Sequence, residues 1–313
     1  MSEKETKTQY RIRNWSQYNA ALKQRGSLTF WVDEEVLAVW LNDEKTGNRG
    51  ASPTYSDLAI ATMSTMGSVF NLAGRQTQGL IESLFELMRI ELTVPDYSTV
   101  SRRLGKLSVS LPIIEGQGAR HVVVDSTGIK VYGEGEWKVR QHGYSKRRTW
   151  RKLHLGVDEK TGEILAAVVS TNNVTDDEAF EDLLDAVAEE TEVVSADGAY
   201  DKRKCYEAID SRGARANIPP RVDAQYWSEE GETHARNQNL AHIDQLGRTQ
   251  WKQESGYHRR SLAETAMFRF KTIFGNTCSR RTFDNQATEL LLACVALNRM
   301  THLGMPDSYA LNS

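Results

Sequence analysis

Three acids and a few cations carry the chemistry that this sequence could do. Asp125 is the one acid in an apolar run, HVVVDST, and Asp197 stands just past a second such run, TEVVSADG. Carboxylates so placed either cap a strand end or turn, or serve as ligands. The third acid, Glu264, lies in residues 257–271, YHRRSLAETAMFRFK. Read as an α-helix at about 100° per residue, this stretch gathers Tyr257, Arg260, Glu264 and Lys271 within an arc of about 60°. Leu262, Ala263, Ala266, Phe270, Ile273 and Phe274 fall between about 140° and 260°, the stripe that packs on a core. One acid among bases reads as a metal-binding carboxylate flanked by phosphate-binding cations, or as a solvated face with an Arg260–Glu264 ion pair. Oxygen ligands suit Mg²⁺ or Mn²⁺, and no His/Cys zinc spacing competes.

Hydrophobic period names the elements that must position these residues. From Asp57 to Leu107 the pattern is helical: DLAIATMSTMGSVFNLAG, TQGLIESLFELMRI and DYSTVSRRLGKL. Pro95 with a capping Asp96 or Ser98 restarts the third helix. The last two, with Ser98, Thr99, Arg102 and Arg103 on the second, fit a DNA-binding helix-turn-helix or a structural three-helix bundle. Residues 111–120 read as a linker, after which the grammar changes. HVVVDST is a buried strand, and WRKLHLGVDEKTGEILAAVVST is a hairpin around Glu-Lys-Thr-Gly. DDEAFEDLLDAVAEE is an acidic amphipathic helix, TEVVSADGAY a strand broken at Gly198, and DKRKCYEAIDSRG a helix closed by Gly213. ARANIPPR is a short strand, followed by about 40 polar residues that read as an irregular insert before residue 257. The order β-β-β-α-β-α-β, insert, α describes an α/β domain. Its first strand and the strand holding Val193 and Val194 are expected to be neighbours, and ligands in such sheets bind beyond the carboxyl ends of parallel strands.

A chain of 313 residues, 39% hydrophobic and 26% charged, is a globular protein of one large or two modest domains. The net charge of −3 makes no case for nucleic acid, but its distribution does. Lys138 to Lys152 holds seven Lys/Arg and no acid, Asp176 to Glu192 nine acids and no base, and Arg259 to Arg281 has Glu264 as its only acid. The first basic run, interleaved with Trp137, Tyr144 and Trp150, reads as a DNA-backbone track contacted by Arg147, Arg148, Arg151 and Lys152, or as a charged hairpin edge. Trp227, Trp251 and Phe268 either stack on a base or anchor a core. The three cysteines have no metal-ligand spacing and read as free thiols of a reducing compartment. With no apolar run of about 18 residues and no signal peptide, a cytoplasmic location is expected.

Taken together, VVVDSTGIK, RKLHLGVDEKTGEILAAVVSTNNVTDD, VSADGAYD and the Y-x2-R-x3-E-x6-K pattern resemble a bacterial insertion-sequence transposase of the DDE class, in insertion-sequence family five, over roughly Asp57 to Met300. The resemblance implies an α/β, ribonuclease H-like (retroviral integrase-like) catalytic domain over 118–300, with a small insert at about 221–253. An all-helical region over 1–110 would bind DNA ends, and 301–313 would be a tail. The family's catalytic, metal-binding triad falls on Asp125, Asp197 and Glu264, and its signature on Tyr257, Arg260 and Lys271. Two Mg²⁺ ions are implied, with Mn²⁺ able to substitute. The implied partners are double-stranded DNA, as terminal inverted repeats and target, and a second copy that pairs the ends at the bacterial nucleoid, with no membrane. Two alternatives remain: a nuclease of the same fold that hydrolyses without strand transfer, separable by a joining assay, and a domesticated DNA-binding protein, which would usually have lost an acid.

Overall fold

The computed structural model describes residues 9–42, 52–114, 116, 118–131, 150–228 and 234–311. The chain opens with β1 (Gln9–Ile12), α1 (Trp15–Gln24), α2 (Leu28–Trp31) and α3 (Glu34–Ala38). The three helices expected next are present as α4 (Asp57–Val69), α5 (Gly74–Met88) and α6 (Tyr97–Arg103). Ser56 caps α4 by accepting from the Ala59 N–H, and Asp96 caps α6 by accepting from the Ser98 N–H. Trp31, Trp40, Ile60, Met66, Ile81 and Phe85 bury one another between these helices, in a cluster completed by Ala296 and Met300 from near the carboxyl end of the chain.

The second half runs β2 (Arg120–Val131), β3 (Trp150–Asp158), β4 (Ile164–Thr171), α7 (Phe180–Asp185), β5 (Thr191–Ser195), α8 (Arg203–Asp210) and β6 (Arg215–Asn217). It continues with α9 (Ala235–Leu246), α10 (Arg248–Glu254), α11 (Ser261–Phe274), β7 (Thr277–Cys278), α12 (Phe283–His302) and β8 (Ser308–Leu311). The result is a mixed α/β architecture around one mixed sheet of order β4-β3-β2-β5-β6. β2, β3 and β4 pair antiparallel, whereas β5 and β6 continue parallel to β2. Alternation along β2 sends Val122 and Val124 to one face, against α7 and α8, and Val123 and Ile129 to the other, against α11 and α12. The apolar run Leu290–Met300 lies on α12, which closes both the sheet core and the N-terminal helical cluster.

Three elements differ from expectation. The insert is helical over α9 and α10. These helices are held by a few anchors, Leu240, Trp251 and the buried Arg236–Asp201 pair, so no apolar stripe announces them in the sequence. The tail is also structured, since β8 pairs antiparallel with β1 from Ser308↔Ile12 to Leu311↔Gln9. Residues 257–271 are not one continuous α-helix: Tyr257–Arg260 form a 3-10 turn after Gly256 at φ 70°, and α11 starts at Ser261. Arg259 and Arg260 are cations, which the positive end of a helix dipole disfavours, whereas Glu264 in the first turn of α11 is favoured there. No described helix is long and apolar enough to cross a membrane.

Candidate active site

The sheet itself brings the two aspartates together. β2 and β5 run parallel with Val123 opposite Ser195. Two residues further along each chain come Asp125 and Asp197, so the register carries both past the carboxyl end of β5 on the side of Val123. The Asp125 carboxylate accepts from the Ser126 N–H at 2.8 Å. Asp197 opens a 3-10 turn by accepting from the Ala199 N–H at 2.8 Å. That turn passes close to the chain at Gly198, where a Cβ would stand 3.3 Å from the Pro219 carbonyl oxygen. Tyr200 pins the turn from below, with its buried ring 5.2 Å from Phe180. On the same edge of β2, β7 joins at Lys130↔Thr277 and Val131↔Cys278. Between Val123 and Lys130, no strand among the described residues covers that edge.

The 3-10 turn and the start of α11 face this opening. Arg260 donates through Nη1 to Asp125 Oδ2 at 3.3 Å and through Nη2 to Glu264 Oε1, so one guanidinium bridges two carboxylates. Tyr257 opens the same 3-10 turn, with its ring centroid 5.8 Å from that of Trp251 and 5.5 Å from Lys252 Nζ. Lys271 is exposed on α11, about 10 Å further along the axis than Glu264. Electrostatics ties the groups into one site. Burial pushes the Asp125 carboxyl above its ordinary range, the charges of Asp197 and Glu264 push it further, and the Ser126 N–H and Arg260 oppose them. Burial likewise raises the Tyr257 phenol, with Arg260 opposing and Asp197 and Asp125 adding. Against the cost of burial, Tyr257, Asp125, Glu264 and Asp197 hold the Arg260 guanidinium above its usual value.

Whether such a site fits a divalent cation turns on its donors. Among the described residues, no three His, Cys, Asp or Glu side chains stand close enough to hold an ion as placed; Arg260 lies between Asp125 and Glu264 instead. The donor set is all carboxylate oxygen, half-buried at Asp125, and its mutual repulsion is only partly offset by one monovalent cation. Hard divalent ions are what such oxygens bind, and the residues fit one.

Other residues singled out in the sequence are engaged inside the chain. Arg151 donates to Gln286 Oε1 at 2.7 Å and lies over Phe283, and Lys152 reaches the Val174 carbonyl at 2.9 Å and Asp176 at 3.2 Å. Arg103 pairs with Asp57 at 2.6 Å, and Arg102 bonds back to Ser98 O and Thr99 Oγ1 of its own helix. Arg147 and Arg148 lie outside the described residues. Trp251 is buried, and Trp227 is held between Arg203 and Arg236, so both tryptophans are core anchors. The sequence reading passed over Tyr200, whose phenol is raised first by burial and then by Asp176, Asp125 and Asp197. Its place in the SADGAYD turn, three residues after Asp197, was the available signal.

Two family models described as "Transposase DDE domain" match the chain, one over residues 23–134 and the other over 116–299. The second covers more than half of the chain, which therefore belongs to the DDE transposases, enzymes of metal-dependent DNA cleavage and strand transfer. Among solved structures the chain is similar to a piggyBac transposase, seen by cryo-EM in a synaptic complex with hairpin DNA. The identity is 10% and the TM-score 0.36, over 94% of this chain and 77% of that one.

Proposed function

We propose that this transposase binds the terminal inverted repeats of an insertion sequence of family five, cuts at the element's ends and joins the freed 3′-OH to target DNA. The observation that supports this reading is Arg260 bonded to both Asp125 and Glu264, with Asp197 near enough for its charge to act on Asp125. Asp125, Asp197 and Glu264 would hold two Mg²⁺ ions, or Mn²⁺ in their place, which would activate the attacking oxygen and stabilise the leaving 3′ oxygen. The chain's own groups do the rest. Arg260 turns from the carboxylates to the phosphate beside the cut, and Lys271 binds a neighbouring phosphate. Tyr257, in the same 3-10 turn as Arg260, donates its phenol to the same backbone. In the first step water attacks phosphorus and the P–O3′ bond breaks; in the second that 3′-OH attacks a target phosphodiester, whose own 3′ oxygen leaves.

The helical region over 1–110 is assigned to DNA-end recognition, with Arg102 exposed on α6. The ribonuclease H-like domain over 118–300 is assigned to catalysis, with α9 and α10 as its small insert, and two copies pair the ends. Labelled duplex carrying the inverted repeat that borders the coding sequence, incubated with protein and Mg²⁺, tests this directly. Nicked and joined products should appear and fall at least about a thousandfold in Asp125→Asn, Asp197→Asn and Glu264→Gln, since several kcal/mol of transition-state stabilisation are lost. DNA binding should persist in all three. Products undiminished in any one variant would remove that residue from the triad, and nicks without joining would make the protein a nuclease.

A further inference from the structure

Phe268 is an apolar side chain that the fold does not use. The inner side of α11 is filled by Ala263, Ala266, Met267 and Phe270, all buried against the sheet. Its exposed residues are Ser261, Glu264, Thr265, Phe268, Lys271 and Thr272. At about 100° per residue these span about 120°, and Phe268 lies at the centre of the arc. Its residue surface is 70% exposed, so most of the free energy available from burying the ring is unused. A phenyl group on that face adds nothing to helix propensity either.

The surroundings say what covers it. Helical side chains lean toward the N-terminus, which tips the ring back toward Glu264, one turn earlier, while Lys271 follows within the next turn. Residues 259–281 contain no acid except Glu264, and that acid is already bonded to Arg260. Arg259 and Arg280 are paired with Glu159 and Glu289, so the cations left to this face are the shared Arg260 and the exposed Lys271. An apolar ring between those two, beside a carboxylate site, is complementary to one nucleotide, phosphate on the cations and base on the ring. The two tryptophans of the insert do not compete for this task, since Trp227 and Trp251 are committed to packing.

We propose that Phe268 stacks on the nucleobase next to the scissile phosphate and holds it out of the duplex stack while Arg260 and Lys271 hold the backbone. This inference rests on the transposase reading above and names a residue outside its acid and phosphate-binding sets. The ring supplies a platform one helical turn from Glu264, so it fixes which phosphate stands opposite the carboxylates. It acts through substrate positioning and takes no part in proton or phosphoryl transfer.

The full-length protein tests this with a duplex carrying the bordering inverted repeat and the fluorescent base aminopurine at the nucleotide flanking the cut. Wild type should raise the aminopurine signal on binding, as the base leaves the stack. Phe268→Ala should abolish that rise and slow 3′ nicking roughly five- to hundredfold, the range that losing one aromatic–base stack gives. Its melting temperature should not fall, because the ring is exposed. An abasic residue at the same nucleotide should restore nicking by Phe268→Ala, because nothing then needs to be held out, and Phe268→Trp should keep both nicking and base displacement. Nicking by Phe268→Ala at the wild-type rate would overturn the inference alone, as would a loss that the abasic substrate does not rescue. A shift in oligomeric mass with an unchanged aminopurine signal would assign the ring to a second copy and overturn it too. Wild type that neither binds nor nicks would overturn this inference together with the transposase reading.

Discussion

Two arginine–aspartate pairs in this molecule look alike in sequence and differ in every physical respect. Arg236 and Asp201 are 6% and 2% exposed at the side chain and bonded through Nε at 2.7 Å. The remaining valences of that pair are also met. Arg236 Nη1 donates to the Gln225 carbonyl at 2.7 Å, its guanidinium lies 4.2 Å from the Trp227 ring centroid, and Asp201 accepts from the Arg221 N–H and the Tyr206 hydroxyl. Arg260 and Asp125 are each 20% exposed and bonded at 3.3 Å, and the arginine is shared with Glu264. Around them a third carboxylate, Asp197, adds repulsion. A closed pair of the first kind fastens the insert to the sheet. An open, over-subscribed pair of the second kind is an arrangement that a stronger cation or a phosphate can rearrange.

Substitutions should separate the two pairs sharply. Removing Asp201 as Asp201→Ala leaves the Arg236 charge buried and unpaired, at a cost of about 3–5 kcal/mol. Urea titration should show that loss, while nicking per folded molecule stays near wild type. Asp125→Asn should do the reverse: nicking is lost, yet the urea midpoint stays level or rises, because a half-buried charge facing two like charges has been removed. A clear destabilisation by Asp125→Asn would make that pair structural and erase the distinction.

Arg260→Gln comes next in size. Its ion pairs are partly exposed, so stability should change by no more than about 1 kcal/mol. Nicking should fall about ten- to hundredfold as a phosphate contact is lost, with weaker salt dependence of DNA binding than wild type. Acid provides the smallest effect and acts on the two regions with opposite sign. His154, buried in the sheet and bonded to Ser170 at 2.9 Å, has its pKa lowered chiefly by burial. As pH falls through its unfolded value of about 6.5, the unfolded chain takes up a proton that the fold resists, and stability drops by at most about 1.4 kcal/mol per pH unit. At Asp125 the folded pKa is raised, so the penalty of its ionisation is present above that value and is relieved as pH falls. Melting curves between pH 7.5 and 5.5 should therefore show lower stability at the acid end, less so in His154→Gln; a flat profile would refute the assignment.

Much of the site could be read from residue order, for local reasons. Asp125 stands out because an apolar strand tolerates few acids, and Asp197 because it precedes a glycine at a strand end. Arg260, Glu264 and Lys271 share a face whether the helix begins at Tyr257 or at Ser261. The 3-10 turn over Tyr257–Arg260 takes Tyr257 off the helix that carries Glu264. Harder to see were α9 and α10, whose anchors are an arginine and a tryptophan rather than an apolar stripe. The β1–β8 pairing joins residues some 300 apart, and no local pattern signals it. The cations assigned to a DNA track show the other limit. A run of Lys and Arg states where positive charge is dense, but Lys152 spends its charge on Asp176 and Arg151 reaches Gln286, partners supplied by distant elements.

By itself, then, the amino-acid order indicated the class of chain and the β-β-β-α-β-α-β order of the sheet region, and singled out the acids and cations proposed to act. Those follow from hydrophobic period, turn chemistry and spacing, all local properties. That the strands leading to Asp125 and Asp197 are neighbours was expected from the element order, and β2 does pair with β5. Tertiary structure alone decided that Arg260 reaches Asp125 as well as Glu264, and that α12 closes two cores at once. Each of these depends on which elements become neighbours, and sheet register and burial set that across separations no sequence window spans.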